Sequence, residues 1–291
     1  MRARAYLHLL KLNVPELALY SLSAAALAPA GKKLLIVEPL FLLFTFCCTT
    51  LTNVLDDIAG YRDGVDRLNV TKAKRNIVKP LLTGELTTDD AWRAAKLIII
   101  CAAVIAALLG ALSPQPVLSF AALAALIGVV TQYSYGLKLS YRALGELVII
   151  YGIAASILIP YALASGAMPP PSVWWVALMA GLPYAAQIVC SNAVDHDGDK
   201  AAGRRTLTVL VGVRHAPWVS LGLFLCFWSA YAAGLALRVL PLGALLWLPL
   251  AAGHARYLQL FWREQRVEAR LLSFNLIRAQ LVLFPIALLS A

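Results

Sequence analysis

The sequence predicts an all-α integral membrane protein, with about nine transmembrane helices around a central cavity and two Asp-rich cytoplasmic loops. Three observations predict it. The 291 residues are 61% hydrophobic and 14% charged, with a mean hydropathy of +0.76, whereas a soluble domain carries about 25% charged residues. The chain holds a series of apolar runs near the roughly 20 residues that a helix needs to cross a bilayer core. The loops between those runs alternate between basic and nearly uncharged, as the two sides of a membrane do.

The runs fall at 9–30, 35–55, 93–113, 116–134, 143–165, 172–192, 216–237, 240–260 and 270–290. Pro and Gly punctuate several boundaries: Ala30-Gly31, Ser113-Pro114, Gly166 to Pro171, and Pro241. The first run follows a basic start and carries Glu16 with no clear cleavage site, so it reads as a membrane helix rather than a leader. The N-terminus and the loops after the second, fourth, sixth and eighth runs hold nearly all the Lys and Arg. The opposite loops hold only Lys32, Lys33 and Arg238. This bias predicts a cytoplasmic N-terminus, cytoplasmic even-numbered loops and an external C-terminus. Residues 1–291 are expected to form one domain, with a weak internal repeat of about 1–140 and 141–291.

The net charge of +10 follows from that same bias. Basic and acidic residues alternate in the loops, with no basic tail or aromatic-basic platform, so no nucleic-acid partner is expected, and no protein partner either. Cys47, Cys48, Cys101, Cys190 and Cys226 lie in apolar runs and form no CxxC pair, which reads as buried small side chains rather than disulfides or metal ligands. His8 and His254 sit at span ends with no partner in reach, and His196 lies inside the second cluster but off the Asp195–Asp199 face, so none is given a metal role. Glu16 and Arg278 fall inside predicted spans, where charge is costly.

Every Asp lies on the predicted cytoplasmic side, and this asymmetry asks for a chemical reason. One cluster ends the second run: Asn53, Asp56, Asp57, Asp63 and Asp66. The other ends the sixth: Asn192, Asp195, Asp197 and Asp199. Residues three and four apart share a helix face, so Asn53 lies with Asp56 and Asp57, and Asp195 with Asp199. Laid together, Asn53 matches Asn192, Asp56 matches Asp195, and Gly60 matches Asp199. Carboxylates held together repel one another, and a cation offsets that cost. Mg²⁺ is a hard ion that takes one or two carboxylates along with waters and substrate phosphates. The candidate metal ligands are therefore Asn53, Asp56, Asp57, Asp63, Asp66, Asn192, Asp195 and Asp199, with Asp57, Asp195 and Asp199 at the centre of the chemistry.

Basic residues follow each cluster. Arg75, Asn76 and Lys79 follow the first, and Lys200 and Arg204 the second; Arg suits phosphate as a fork and Lys as a point charge. A third polar stretch, Tyr133 to Glu146, carries Tyr135 and Lys138 as candidates for an aromatic and basic wall, because an electron-rich ring face steadies a passing cation.

Taken together, the two clusters resemble the motifs of the UbiA superfamily of intramembrane prenyltransferases. The matching segments are Asn192 to Asp199 with Gly203 and Thr206-Leu207, Arg75-Asn76 through Lys79-Pro80-Leu81 to Gly84, Tyr133 to Lys138, and Leu144-Gly145-Glu146. The resemblance implies nine membrane helices, Asp-rich motifs after the second and sixth, and Mg²⁺-dependent transfer of a polyprenyl group from its diphosphate to an aromatic or other lipophilic acceptor, in quinone or membrane-lipid synthesis. The family's first motif reads Asn-Asp-x-x-Asp. Aligned through Gly64-Val65-Asp66, its Asn falls on Asp56 and its second Asp on Gly60; aligned through Asn53, the four-spaced acid is Asp57. The Gly64-Val65-Asp66 ending and the Leu-Gly-Glu triplet look most like the naphthoate prenyltransferases of menaquinone synthesis. A multi-pass transporter is the alternative, and it would place its polar residues near mid-bilayer rather than at helix ends.

Overall fold

In lipid an apolar run of this length must satisfy every backbone polar group internally, and the helix is the form that does so. The computed structural model describes residues 2–11, 18–28, 32–72 and 79–289, and among them no strand occurs. The helices are α1 (Arg2–Leu10), α2 (Ser21–Leu27), α3 (Lys32–Asp63), α4 (Val65–Lys72), α5 (Pro80–Thr83), α6 (Thr88–Leu112), α7 (Pro116–Thr131), α8 (Gly145–Ser165), α9 (Pro171–Ala201), α10 (Leu207–Val211), α11 (Ala216–Ala236), α12 (Pro249–Trp262) and α13 (Arg266–Leu288). Short 3₁₀ turns occupy Ala18–Tyr20, Leu139–Tyr141 and Leu242–Trp247. Among the described residues six helices are long and apolar enough to cross a membrane: α3 from Leu34, α6, α8, α9, α11 and α13. Helix α7 is apolar but shorter.

Helix α9 is the central post. It packs on α8, α11, α13, α10 and α4, while α3 packs on α6, α7, α8 and α4. Around α9 the core is aromatic: Tyr184, Phe227, Tyr231, Trp247 and Phe284 are all buried there. Phe41, Phe44, Leu109 and Leu126 form a second core between α3, α6 and α7. The outward faces stay apolar, with Leu97, Ile100, Val104 and Leu108 of α6 at least half exposed, as a lipid-facing surface requires. Pro39, Pro160, Pro183 and Pro285 lie inside membrane-length helices. Pro183 removes one N–H from the α9 ladder, and the Ala180 carbonyl in that turn takes a bond from buried Gln280 Nε2 at 3.1 Å.

Four sequence boundaries need correction. The first run does not begin as a membrane helix at 9. Residues 2–10 form a separate amphipathic helix, with Ala5 and Leu9 buried and Arg2 and Arg4 exposed, that ends at Lys11 (φ 47°). Glu16, Arg75 and Asn76 lie outside the described residues. The eighth run opens as a 3₁₀ turn, and its α-helix starts only at Pro249, whose missing N–H is one that a helix start would leave unbonded. The third helix begins earlier, at Thr88, behind a capping box in which Thr87 Oγ1 accepts from Asp90 N and Thr87 N donates to Asp90 Oδ2.

The fourth correction concerns the acids. They are not on loops: α3 continues through Asp63 and α9 through Ala201, so Asp56, Asp57, Asp63, Asp195 and Asp199 ride on helix ends. Helix formation there needs only backbone bonding, and the first residue that breaks α3 is Gly64, at φ 77°.

Candidate active site

The polar end of α3 supplies Asp56 and Asp57 in adjacent positions. Asp57 is buried, and its Oδ1 accepts from Lys79 Nζ at 2.6 Å and from Lys11 Nζ at 3.0 Å. Gly64 turns the chain back, so α4 lies against the helix it follows, and Asp66 Oδ1 meets the same Lys79 Nζ at 2.9 Å. Two carboxylates from different helices therefore converge on one cation-sized point. Asp63, further along α3, pairs with Lys138 at 2.9 Å near the surface.

Asp56 looks toward the other half of the chain. Its Oδ1 accepts from Ser134 Oγ at 2.5 Å and faces Arg204 Nη2 at 3.6 Å. Arg204 is held from several sides. Gly203, at φ 75°, turns the chain after α9, and Arg204 N donates to the Asp199 carbonyl at 2.8 Å. Its guanidinium bonds Ser140 Oγ at 3.0 Å and lies 4.7 Å from the centre of the Tyr141 ring. Next along the chain, Arg205 N donates to the Tyr141 carbonyl, which pins the 139–141 turn to the segment after α9. On α9 itself, Asp199 is buried and its Oδ1 takes a bond from Asn69 Nδ2 of α4 at 3.2 Å. A Cβ at Gly198 would overlap the Asn69 amide, so this approach needs glycine. Asn192 donates to buried Glu146 Oε1 at 3.1 Å, while Asp195 is half-buried one turn before Asp199.

Charge and burial compete throughout. Burial alone would lower the Lys79 ammonium pKa, but the carboxylates of Asp57, Asp66 and Asp56 outweigh it and the net shift is upward. Burial pushes the Asp66 carboxyl up to about 6; Lys79 opposes this, and Asp57 and Asp56 add to it. Arg204 is likewise raised, because Asp56 and Asp199 overcome its desolvation. Burial holds the Tyr133 and Tyr141 phenols well above their usual range.

These donors suit a hard divalent cation. Among the described residues no three acidic, His or Cys side chains close on one point unaided. Mg²⁺ does not require that, since it commonly takes one or two carboxylates and completes its shell with water and phosphate. The Asp57–Asp66 pair, already gathered around an ammonium, is such a donor set.

A small cavity of about 50 Å³ lies between α3, α7 and α8, lined by Thr45, Thr49, Thr52, Tyr133 and Ser156 among others. Thr45, Thr49 and Thr52 bond back to carbonyls of their own helix, so the lining is less polar than its composition. A larger groove of about 470 Å³ runs between α7, α8 and α9, lined by Leu118, Leu158, Trp174 and Leu178 and flanked by Ser113 and Gly166. Neither lining includes an acid of the cluster.

No curated protein matches the chain. A family model does: the UbiA prenyltransferase family, over residues 17–279. The chain belongs to the UbiA prenyltransferase family. It is thus a multi-pass membrane prenyltransferase, as its apolar helices require. The fold agrees with solved UbiA homologues. That from Aeropyrum pernix K1 is 18% identical, with a TM-score of 0.68 over 94% of this chain and 95% of its own. That from Archaeoglobus fulgidus, bound to GPP and Mg²⁺, is 17% identical, with a TM-score of 0.64 over 99% and 100%. A structure concerned with digeranylgeranylglyceryl phosphate synthase is 14% identical, with a TM-score of 0.64 over 100% and 99%.

Within this UbiA-family chain the sequence-selected residues divide. Asp56, Asp57, Asp66, Lys79, Asp199 and Arg204 come together. Asn53 is half-buried one turn before Asp57. Three choices are displaced. Tyr135 turns outward against Trp92, ring centres 5.2 Å apart, and Tyr133 and Tyr141 face the acids instead, because the turn at Gly136 (φ 63°) reverses the chain. Lys200 is exposed, being one residue past Asp199 on a helix and so about 100° round from it. Lys138 pairs with Asp63 rather than facing the inner carboxylates. The sequence reading missed Lys11, Asn69, Ser134 and Glu146 as partners. Only Glu146 carried a signal, as an acid opening a membrane helix; the others are ordinary residues given meaning by tertiary contact.

Proposed function

We propose that this chain transfers a polyprenyl group from an isoprenoid diphosphate to an aromatic or other lipophilic acceptor, in quinone or membrane-lipid synthesis, with Mg²⁺ as the counter-ion. The observation that carries the reading is the convergence of the two acid-bearing helix ends: Arg204 ties the Asp199 backbone to the Asp56 carboxylate, and Asn69 ties α4 to Asp199. Asn53, Asp56, Asp57, Asn192, Asp195 and Asp199 are the proposed ligands, with Asp63 and Asp66 assisting. When bound, Mg²⁺ neutralises the diphosphate leaving group.

Lys79, Lys11 and Arg204 stand beside the carboxylates and grip phosphate oxygens as the charge of the leaving group grows. The allylic C–O bond breaks with its electron pair going to the diphosphate. The acceptor attacks the allylic carbon and then loses a proton. The Tyr133 and Tyr141 rings steady the cation on its way. The apolar helix faces shelter the isoprenoid chain and exclude the water that would quench the cation. Solved homologues are described with GPP and Mg²⁺ and with DMAPP and Mg²⁺, which supports this choice of donor and metal. The acid-bearing ends face the cytoplasm in this reading, following the Lys and Arg bias. Gathering of the carboxylates at helix ends, rather than midway along the spans, disfavours the transporter alternative.

The test is Mg²⁺-dependent diphosphate release from geranylgeranyl diphosphate by the purified protein in lipid. Asp195→Asn is expected to abolish it while the protein stays folded and inserted. Near-normal turnover by that variant would refute the ligand assignment.

A further inference from the structure

We infer that Asp66, carried on α4, supplies the carboxylate that α3 lacks at position 60, and that Gly60 is the slot that admits it. The inference rests on the prenyl-transfer reading and narrows it, singling Asp66 out from the acids around it.

The argument starts from spacing within this chain. On the second acid-bearing helix end, Asn192, Asp195 and Asp199 follow at intervals of three and four. On the first, Asn53 and Asp56 keep the interval of three, but the next position holds Gly60. A side chain at 60 would begin at the missing Cβ, and another carboxylate already sits there. An ideal Cβ on Gly60 would lie 2.7 Å from Asp66 Oδ1, 2.8 Å from its Cγ and 2.9 Å from its Oδ2. The whole carboxylate thus occupies the volume into which a residue-60 side chain would grow.

The backbone explains how it gets there. Gly64, at φ 77°, ends α3 and reverses the chain, and α4 then lies back on the helix it left. A carboxylate that merely filled a packing gap would need no cationic focus. This one has a focus, because Asp66 Oδ1 and Asp57 Oδ1 both reach Lys79 Nζ, at 2.9 and 2.6 Å. Asp63, on the exposed side of the same helix end, points instead to Lys138. The acid set of the first helix end is therefore Asp56, Asp57 and Asp66, and it is completed by a fold-back rather than by the helix itself.

A swap tests this, read by binding rather than by turnover. The probe is Mn²⁺ with geranyl diphosphate, added to purified protein in lipid nanodiscs and followed by electron paramagnetic resonance. Asp66→Ala and the isosteric Asp66→Asn are both expected to weaken Mn²⁺ binding about 10- to 100-fold, a loss seen even when an outer-shell partner of a metal is removed. Gly60→Ala is expected to do the same with Asp66 intact, because its Cβ evicts the carboxylate. The double variant Gly60→Asp with Asp66→Ala is expected to return the affinity to within about threefold of wild type, since a carboxylate again fills the same volume. Wild-type affinity in Asp66→Asn, or no recovery in the double variant when Asp66→Asn is folded and weak, overturns the inference and leaves the prenyl-transfer reading standing. Failure of the wild-type protein to hold Mn²⁺ with the diphosphate overturns both.

Discussion

The polar end of α3 and the polar end of α9 share an Asn-x-x-Asp spacing, yet they are balanced by different chemistry. At the first, cations reach in from elsewhere in the chain: Lys11 and Lys79 to Asp57, Lys79 to Asp66, Lys138 to Asp63, and Arg204 to Asp56. At the second, the partners at Asp199 and Asn192 are neutral or acidic: the Asn69 amide bonds Asp199, and Asn192 bonds Glu146. Arg204, which follows the second end, aims its side chain at the first end's Asp56. Among the described residues every acid of the first end is thus ion-paired, whereas Asp199 is held by an amide hydrogen bond and shares the Arg204 charge with Asp56. In the proposed reading an incoming Mg²⁺-diphosphate complex would meet two different surfaces. At α3 it would displace ammonium groups, which would pass to phosphate; at α9 it would meet a less heavily paired carboxylate.

The largest expected effect is therefore on the ammonium that bridges two acids. Lys79→Met leaves Asp57 and Asp66 facing each other with Lys11 as the remaining described ion-pair partner of Asp57, and removing one member of a buried ion pair costs about 3–5 kcal/mol. Thermal unfolding should show a marked loss of stability without metal. Added Mg²⁺ should raise the melting temperature of Lys79→Met more than that of wild type, because the divalent cation enters where the ammonium stood. Equal Mg²⁺ shifts in both proteins would mean that the two carboxylates do not form a shared cation site.

Asn69→Ala probes the other end and should cost less. It removes one hydrogen bond to a carboxylate, typically about 1.5–3 kcal/mol. It also frees α4 from α9, so affinity for the diphosphate should fall together with stability. A cost equal to that of Lys79→Met would break the contrast between an ion-paired end and an amide-bonded one.

Much of this was legible in the sequence, for reasons that also mark the limit. Hydropathy reports burial in lipid directly, so the membrane-length helices and the two acid-bearing ends could be located. Hydropathy does not report where a polar helix stops. The acids of α3 and α9 continue their helices until Gly64 and Gly203 permit a left-handed turn, and a run of Asp reads as loop until such a turn is seen. Pairings such as Asn69 with Asp199 span 130 residues and depend on how α4 folds back, which no local pattern encodes. The separate α1 was hidden by its apolar Leu7, Leu9 and Leu10, which blend into the run that follows.

The smallest expected effect belongs to Lys138, which the sequence placed in an aromatic and basic wall. Its ammonium sits 2.9 Å from Asp63, but 40% of its side chain and 27% of that of Asp63 remain exposed. Exposed pairs of this kind contribute about 0–1 kcal/mol and weaken as salt is added. Lys138→Met should leave the melting temperature nearly unchanged and raise the KM for prenyl diphosphate less than about threefold, on the scale of such a pair. The same ammonium lies 4.9 Å from the centre of the Tyr141 ring that also stacks on Arg204, so a route to the inner site exists. A tenfold rise in KM with stability intact would show that Lys138 leaves Asp63 for the substrate. The outer rim would then belong to the same cation-supplied surface as Lys79, and the boundary between the two ends would lie at Tyr141 rather than at Asp56.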